Sequence, residues 1–76
     1  MKKKEIKEIC EATFRHLYSF PKKDYKFVDW DIYMDDEFNE WTVRTIIVSK
    51  RHVVYRCNCW INEQGNVNNE ACNCLG

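Results

Sequence analysis

Glycine and proline are scarce in this 76-residue chain, which contains two glycines and one proline. A phosphate-binding loop needs several closely spaced glycines, so the sequence contains no loop of that kind. No segment approaches the roughly 20 consecutive apolar residues of a membrane-spanning helix, and we expect no membrane association. The only two histidines, His16 and His52, form no recognisable nucleophile–base pair with a cysteine, so we expect no enzymatic activity.

Net charge is also lacking, because 12 basic residues balance 12 acidic ones. A neutral chain has no long-range attraction to nucleic acid. Three lysines follow Met1, but glutamates stand at positions 5, 8 and 11, where a signal peptide would be apolar. We therefore expect a cytoplasmic protein, whose thiols are normally kept reduced. The length predicts a single domain, residues 1–76, small enough to gain from a staple such as a metal or disulfides.

Hydrophobic periodicity predicts one helix followed by four strands. Residues 3–20 repeat apolar side chains at helical spacing, and Pro21 ends the helix. Alternating or β-branched segments predict strands over 25–34, 41–49, 53–62 and 67–74. The apolar side of the helix should comprise Ile6, Ile9, Cys10, Thr13, Phe14, Leu17 and Phe20. We therefore predict an α+β fold: an N-terminal amphipathic helix packed on a four-stranded antiparallel meander. Cystatin-like folds share this outline, although no motif of that family is present.

Cysteine is abundant, and four of the five cysteines form two Cys-Asn-Cys triplets, residues 57–59 and 72–74. Gly65-Asn66 predicts a two-residue hairpin turn between them. That turn would place Cys57 opposite Cys74 and Cys59 opposite Cys72, with all four side chains on one face. The last strand is rich in asparagine, which has low β propensity, so the quartet is expected to hold it in place.

Three interpretations of the quartet remain open. Cys57, Cys59, Cys72 and Cys74 could bind a structural zinc ion, although zinc ligands are usually spaced C-x₂₋₄-C rather than C-x-C. The opposed pairs could instead form the disulfides Cys57–Cys74 and Cys59–Cys72, which a reducing compartment disfavours. Finally, the thiols could remain reduced and pack as small hydrophobes. Cys10, on the apolar side of the helix, is predicted to be a core residue.

An acidic segment is the other notable feature. Residues 29–40 contain six carboxylates and no lysine or arginine. Aromatic residues are interleaved with them, and both features suit an interface with a basic protein. The predicted partner-binding residues are Asp29, Asp31, Asp35, Asp36, Glu37, Glu40 and Trp41. The alternative is a solvated hairpin whose aromatic side chains turn inward.

The size and charge pattern resemble those of small phage and mobile-element inhibitors of bacterial defence, such as anti-CRISPR proteins. That resemblance rests on no motif, and it implies an inhibitory module whose partner is a nucleic-acid-binding protein. The rival hypothesis is a zinc-stabilised module that binds nucleic acid itself. Its phosphate contacts would come from Arg44, Lys50, Arg51, Arg56 and the N-terminal lysines.

Overall fold

The computed structural model describes all residues from 1 to 76 as one helix and four strands. The helix α1 spans Lys3–Tyr18, and the strands are β1 (Tyr25–Asp35), β2 (Glu40–Ser49), β3 (Val54–Asn62) and β4 (Val67–Cys74). They form one antiparallel sheet in the order β1-β2-β3-β4. The predicted α+β fold is confirmed. α1 has neither the length nor the apolar character of a membrane-spanning helix.

The core lies between α1 and one face of the sheet. The helix buries Ile6, Cys10 and Phe14 completely, as its 3.6-residue period predicts. The facing strand positions alternate along β2 and β3, because successive side chains of a strand point to opposite faces. They contribute Val43, Ile47, Cys57, Cys59 and Ile61. Cys10 is therefore a core residue, as predicted.

The end of α1 differs from the prediction. Ser19 adopts a left-handed conformation (φ 53°) directly after Tyr18, so the helix ends before Phe20. Left-handed residues commonly end helices, and this one turns the chain back towards the sheet. Phe20 is buried from outside the helix, where its ring stacks on Tyr25 at a centroid distance of 4.4 Å. Leu17, predicted to be apolar core, is 53% exposed.

A β-bulge interrupts β1 between Val28 and Asp31. Asp29 occupies it with a positive φ of 52°, a conformation that aspartate tolerates better than most residues. The extra residue reverses the alternation, so Val28 lies on the opposite face from Trp30 and Ile32. Uninterrupted alternation over the predicted strand 25–34 would have placed these three side chains on one face. The reversal keeps Phe27 and Trp30 together on the helix side, where their rings stack at 5.8 Å.

The other face of the sheet has no covering element. Cross-strand pairing places Arg44 and Arg56 there, on neighbouring strands. Trp60 and Tyr33 lie on the same face, on either side of Thr42. This uncovered face is therefore mixed, with two cations and two aromatic rings beside smaller side chains.

Candidate functional site

The acidic residues predicted to bind a partner all lie on one hairpin, formed by β1, β2 and their connecting turn. We call this surface the acidic hairpin and define it by Asp29, Asp31, Asp35, Asp36, Glu37 and Glu40. β1 is one of the two edge strands of the sheet, so one long side of the hairpin faces solvent. Charges and a bulge on an edge strand also hinder pairing with a second copy of the chain.

The negative charges of the acidic hairpin are not neutralised by ion pairs. The single ion pair within 4 Å in the structure joins Arg15 and Glu11 on α1, with a nitrogen–oxygen distance of 3.9 Å. Asp31 is directly opposite Arg44 in the ladder, but their charged groups are not within that distance. The acidic hairpin therefore presents carboxylates that form no direct ion pair, which leaves them available to an electrostatic interface with a cationic partner.

Two of the six carboxylates have structural partners. Asp35 accepts a hydrogen bond from the backbone N–H of Glu37 at 3.0 Å and so closes the β1–β2 turn. Glu40 accepts one from the side-chain amide of Asn68 in β4 at 2.9 Å. No hydrogen bond engages the other four carboxylates, all exposed, which makes them the free acceptors of the hairpin: Asp29, Asp31, Asp36 and Glu37.

The exposed aromatic residues of the hairpin are Phe38 (66% exposed) and Tyr33 (45% exposed). Trp41, which the sequence assigned to the partner surface, is half-buried on the helix side and packs against the core. The sequence could have identified Tyr33 as a surface residue, because side chains alternate along β1 and its neighbours Ile32 and Met34 point to the helix side. Phe38 lies in the turn, where no periodicity applies. The apolar part of this surface therefore comes from Tyr33 and Phe38.

The cysteine quartet has a different register from the one predicted. Cys57 lies opposite Cys72, whereas Cys59 faces Glu70 and Cys74 faces Tyr55. The predicted pairs Cys57–Cys74 and Cys59–Cys72 are therefore wrong by two residues. All four cysteines still share the helix-facing side of the sheet, because a shift of two preserves the alternation.

The β3–β4 turn explains the shift. Asn62, not Gln64, closes the loop: its carbonyl accepts from the N–H of Gly65 at 3.0 Å and its N–H donates to the carbonyl of Asn66 at 2.9 Å. The Asn62 side-chain oxygen also accepts from the N–H groups of Gln64 and Asn66. Gly65 has φ 85° within a three-residue loop. Compared with the predicted register, this loop shifts β4 by three residues along β3. A bulge after Val67 shifts the strand back by one residue, so the net difference is two.

This register affects the predicted zinc site. Cys59 and Cys74 are now four residues apart along the ladder, roughly 13 Å at about 3.3 Å per residue. Tetrahedral coordination with bonds of about 2.3 Å cannot span that separation. No group of three or more Cys, His, Asp or Glu side chains is arranged to hold a metal ion. Zinc remains a prediction that this register does not support.

The structure instead gathers three of the quartet with the helix cysteine. We call Cys10, Cys57, Cys59 and Cys72 the cysteine cluster. The sulfurs of Cys57 and Cys72 are 2.9 Å apart, and Cys10 and Cys59 are close enough for each thiol to shift the pKa of the other. Cys74 is exposed and lies outside the cluster. Sequence periodicity placed Cys10 in the core, but its contact with Cys59 depends on how the helix sits on the sheet.

The environment raises the pKa of three thiols of the cysteine cluster, whereas the contact with Cys10 lowers the pKa of the Cys59 thiol. The contact with Cys59, followed by burial, raises the pKa of the Cys10 thiol. Burial, followed by the contact with Cys72, raises the pKa of the Cys57 thiol. Burial raises the pKa of Cys72 as well. Thiols with raised pKa values behave as small hydrophobes, which fits the position of Cys10, Cys57 and Cys72 in or against the core.

A hydrogen bond from Tyr18 to Glu70 joins the end of α1 to β4, with an oxygen–oxygen distance of 2.8 Å. The bond to the carboxylate raises the pKa of Tyr18 from 10.0 to about 12. The folded-state pKa exceeds the unfolded one, so this contact stabilises the fold below pH 10 and is lost as pH rises towards 12.

Glu70→Gln should therefore lower the pKa of Tyr18 towards 10, because a neutral amide repels the phenolate less than a carboxylate does. An ultraviolet titration of tyrosinate formation measures this directly. The chain contains four tyrosines, and the late transition is the ionisation at the highest pH, near 12. The variant Tyr18→Phe shows whether this late transition belongs to Tyr18. An unchanged late transition in Glu70→Gln would show that the contact does not control Tyr18.

Comparison with known proteins identifies no relative of this chain: no family model, no curated protein and no solved structure matches it. The function is therefore inferred from the acidic hairpin and the cysteine cluster alone.

Proposed function

We propose that this chain is a small non-enzymatic binding module that acts in the cytoplasm by contacting a basic protein through the acidic hairpin. The main support for the proposal is that four carboxylates are free of contacts within the protein, namely those of Asp29, Asp31, Asp36 and Glu37. They are exposed, they have no ion-pair partner within 4 Å, and no hydrogen bond engages them. Binding a cationic partner through these groups costs little free energy, because no existing contact within the protein must be broken.

The arrangement of the hairpin supports a protein partner rather than a bound ion. Phe38 extends from the turn with two thirds of its surface exposed, between Glu37 and Asn39. Aromatic residues are enriched at the energetic centre of protein interfaces, and a surrounding charged rim sets specificity and association rate. The acidic hairpin has both features, an apolar point at the tip and charge around it.

The expected partner is a nucleic-acid-binding protein, whose binding groove presents arginine and lysine to phosphate. A hairpin with carboxylates along one edge can occupy such a groove in place of nucleic acid. A small protein that occupies the groove would inhibit the partner by excluding nucleic acid. Such inhibition is the function of anti-CRISPR-like proteins of phages and mobile elements.

Binding to a synthetic arginine-rich peptide, a substitute for such a groove, tests the proposal. We expect saturable binding by fluorescence anisotropy at 50 mM salt that weakens steeply towards 200 mM, because salt screens exposed charges beyond about 10 Å. A peptide of the same length with glutamine in place of arginine is the control. Salt-independent binding, or equal binding of both peptides, would contradict an electrostatic interface.

A second candidate function is supported by the uncovered face of the sheet. Arg44 and Arg56 lie there with Asn58 around a hollow of about 460 Å³, and Trp60 is nearby. Two cations beside an aromatic ring could contact single-stranded nucleic acid. Asp29 lines the same hollow and opposes phosphate, so we rank this function second. A labelled single-stranded oligonucleotide that binds at 50 mM salt, and no longer binds Arg44→Gln/Arg56→Gln, would favour it.

A further inference from the structure

The opposed cysteines of β3 and β4 occupy a position suited to covalent linkage. The N–H of Leu75 donates to the carbonyl of Val54 at 2.7 Å, which marks a hydrogen-bonded position of the ladder. Hydrogen-bonded and non-hydrogen-bonded pairs alternate along an antiparallel ladder, so Cys57 and Cys72 form a non-hydrogen-bonded pair. The Cα atoms of such pairs lie about 4.5 Å apart, within the range of about 4.4–6.8 Å that a disulfide spans.

The same register selects this pair from the five cysteines. The sulfurs of Cys57 and Cys72 are 2.9 Å apart, which is already contact distance. Cys59 has Glu70 as its cross-strand partner, and Cys74 has Tyr55. Neighbours within one triplet are two residues apart on a single strand, roughly 7 Å, which is too far for a disulfide without distortion of the strand.

We propose that Cys57 and Cys72 are a reversible disulfide site that fastens β4 to the sheet by exchange with a low-molecular-weight disulfide such as oxidised glutathione. The half-buried Cys72 reacts first, because Cys57 is completely buried. Cys72 first loses its thiol proton to solvent; the thiolate then attacks one sulfur of the small disulfide, breaks its S–S bond and releases one small thiolate, which takes up a proton. Cys57 then attacks the Cys72 sulfur of the mixed disulfide and releases the second. Two protein thiols are oxidised, and one small disulfide is reduced to two thiols.

β4 is the strand that such a link would affect most. It is an edge strand with three asparagines, and none of its eight residues is fully buried. Side-chain contacts from Asn68 to Glu40 and from Tyr18 to Glu70 are its exposed anchors. Oxidation would hold the strand at its middle, where Cys72 packs against the core. The amides of β4 should then exchange with deuterium more slowly, and the unfolding midpoint should rise by several degrees.

Intact mass spectrometry of the whole chain, before and after incubation with excess oxidised glutathione, tests the proposal. We expect a species lighter by the mass of two hydrogen atoms, which reverts on reduction. No lysine or arginine follows Arg56, so cleavage after glutamate is needed to separate the triplets. Cleavage after Arg56, Glu63 and Glu70 should leave residues 57–63 linked to residues 71–76. A link between Cys59 and Cys72, or between Cys72 and Cys74, would overturn the proposal.

Serine variants assign the sulfurs. Cys74→Ser should still lose two hydrogens, whereas Cys57→Ser should stop at a glutathione adduct on Cys72. Circular dichroism establishes that each variant is folded before oxidation. If Cys57→Ser does not fold, fragmentation of the linked peptide of the Cys74→Ser variant decides: residues 71–76 then carry Cys72 as their only thiol, and backbone fragment ions between Cys57 and Cys59 show which of the two it joins. Glutathione adducts confined to Cys74 in the wild-type chain, with no loss of hydrogen, would also overturn the proposal.

Discussion

Phe14→Ala should cost about 3–5 kcal/mol of unfolding free energy, the usual range for removing a fully buried phenylalanine. Phe14 is the largest completely buried side chain, and it lies between the helix residues Cys10 and Tyr18. The helix meets the sheet through few side chains, so the surroundings have little else with which to fill the space. Small domains have only about 5–15 kcal/mol of stability in total, and a domain of this length is expected near the lower end. The variant should therefore be partly unfolded at room temperature.

Urea denaturation followed by tryptophan fluorescence measures the effect. We expect a much lower midpoint with an unchanged slope, since the surface exposed on unfolding stays similar. Leu17→Ala is the matched control, because Leu17 is on the same helix but 53% exposed. It should change the unfolding free energy by about 0.5 kcal/mol or less. Equal losses in the two variants would show that the helix presents a different side to the sheet.

Neutralising the free carboxylates should weaken binding to the arginine-rich peptide about tenfold. The variant is Asp31→Asn/Asp36→Asn/Glu37→Gln, which leaves the hydrogen bonds of Asp35 and Glu40 intact. Three exposed ion pairs at about 0.5 kcal/mol each sum to about 1.5 kcal/mol, which corresponds to about tenfold in Kd. The dependence of Kd on salt should become shallower in parallel.

The control is Glu5→Gln/Glu8→Gln/Glu63→Gln, which changes the net charge by the same amount. These three residues are exposed but lie on α1 and in the β3–β4 turn. Their loss should change Kd by less than about threefold, because such charges act on the peptide only through a screened field. Equal effects of the two triple variants would mean that only the net charge of the chain matters. Analytical ultracentrifugation checks that neutralising the edge strand does not cause self-association.

The fold was predictable from the sequence because its periodicities are strong. Ile6, Cys10 and Phe14 recur at helical spacing, and the alternation in β2 and β3 is nearly uninterrupted. The predicted strand boundaries lie within one residue of the observed ones. These elements depend on local pattern, which a sequence displays directly.

The errors arose where one residue changes the geometry of those that follow. Asn62 binds the β3–β4 turn with its side chain, so the loop is longer than Gly65-Asn66 suggests and the cysteine pairing shifts. Asp29 forms a bulge and moves Val28 to the other face. Ser19 ends the helix two residues early. At each of these three places, alternative turn or bulge geometries differ little in free energy. Tertiary packing decides which of them the chain adopts.

The candidate site was predictable in composition but not in arrangement. A run of acids on a hairpin follows from the sequence, as does their exposure on an edge. The roles of Asp35 and Glu40 depend on the turn and on Asn68, a residue of the bulge in β4. The exposure of Phe38 depends on the conformation of the turn. Side-chain partners of this kind appear only when the strands are in register.

Nuclear magnetic resonance mapping of the arginine-rich peptide on the ¹⁵N-labelled chain shows which surface the peptide contacts. We expect saturable shift changes at the amides of residues 29–40, largest around Asp36, Glu37 and Phe38, with little change on α1 or β4. Changes centred on Arg44, Arg56 and Trp60, or small changes spread evenly over the chain, would contradict the claim that the acidic hairpin is the binding surface.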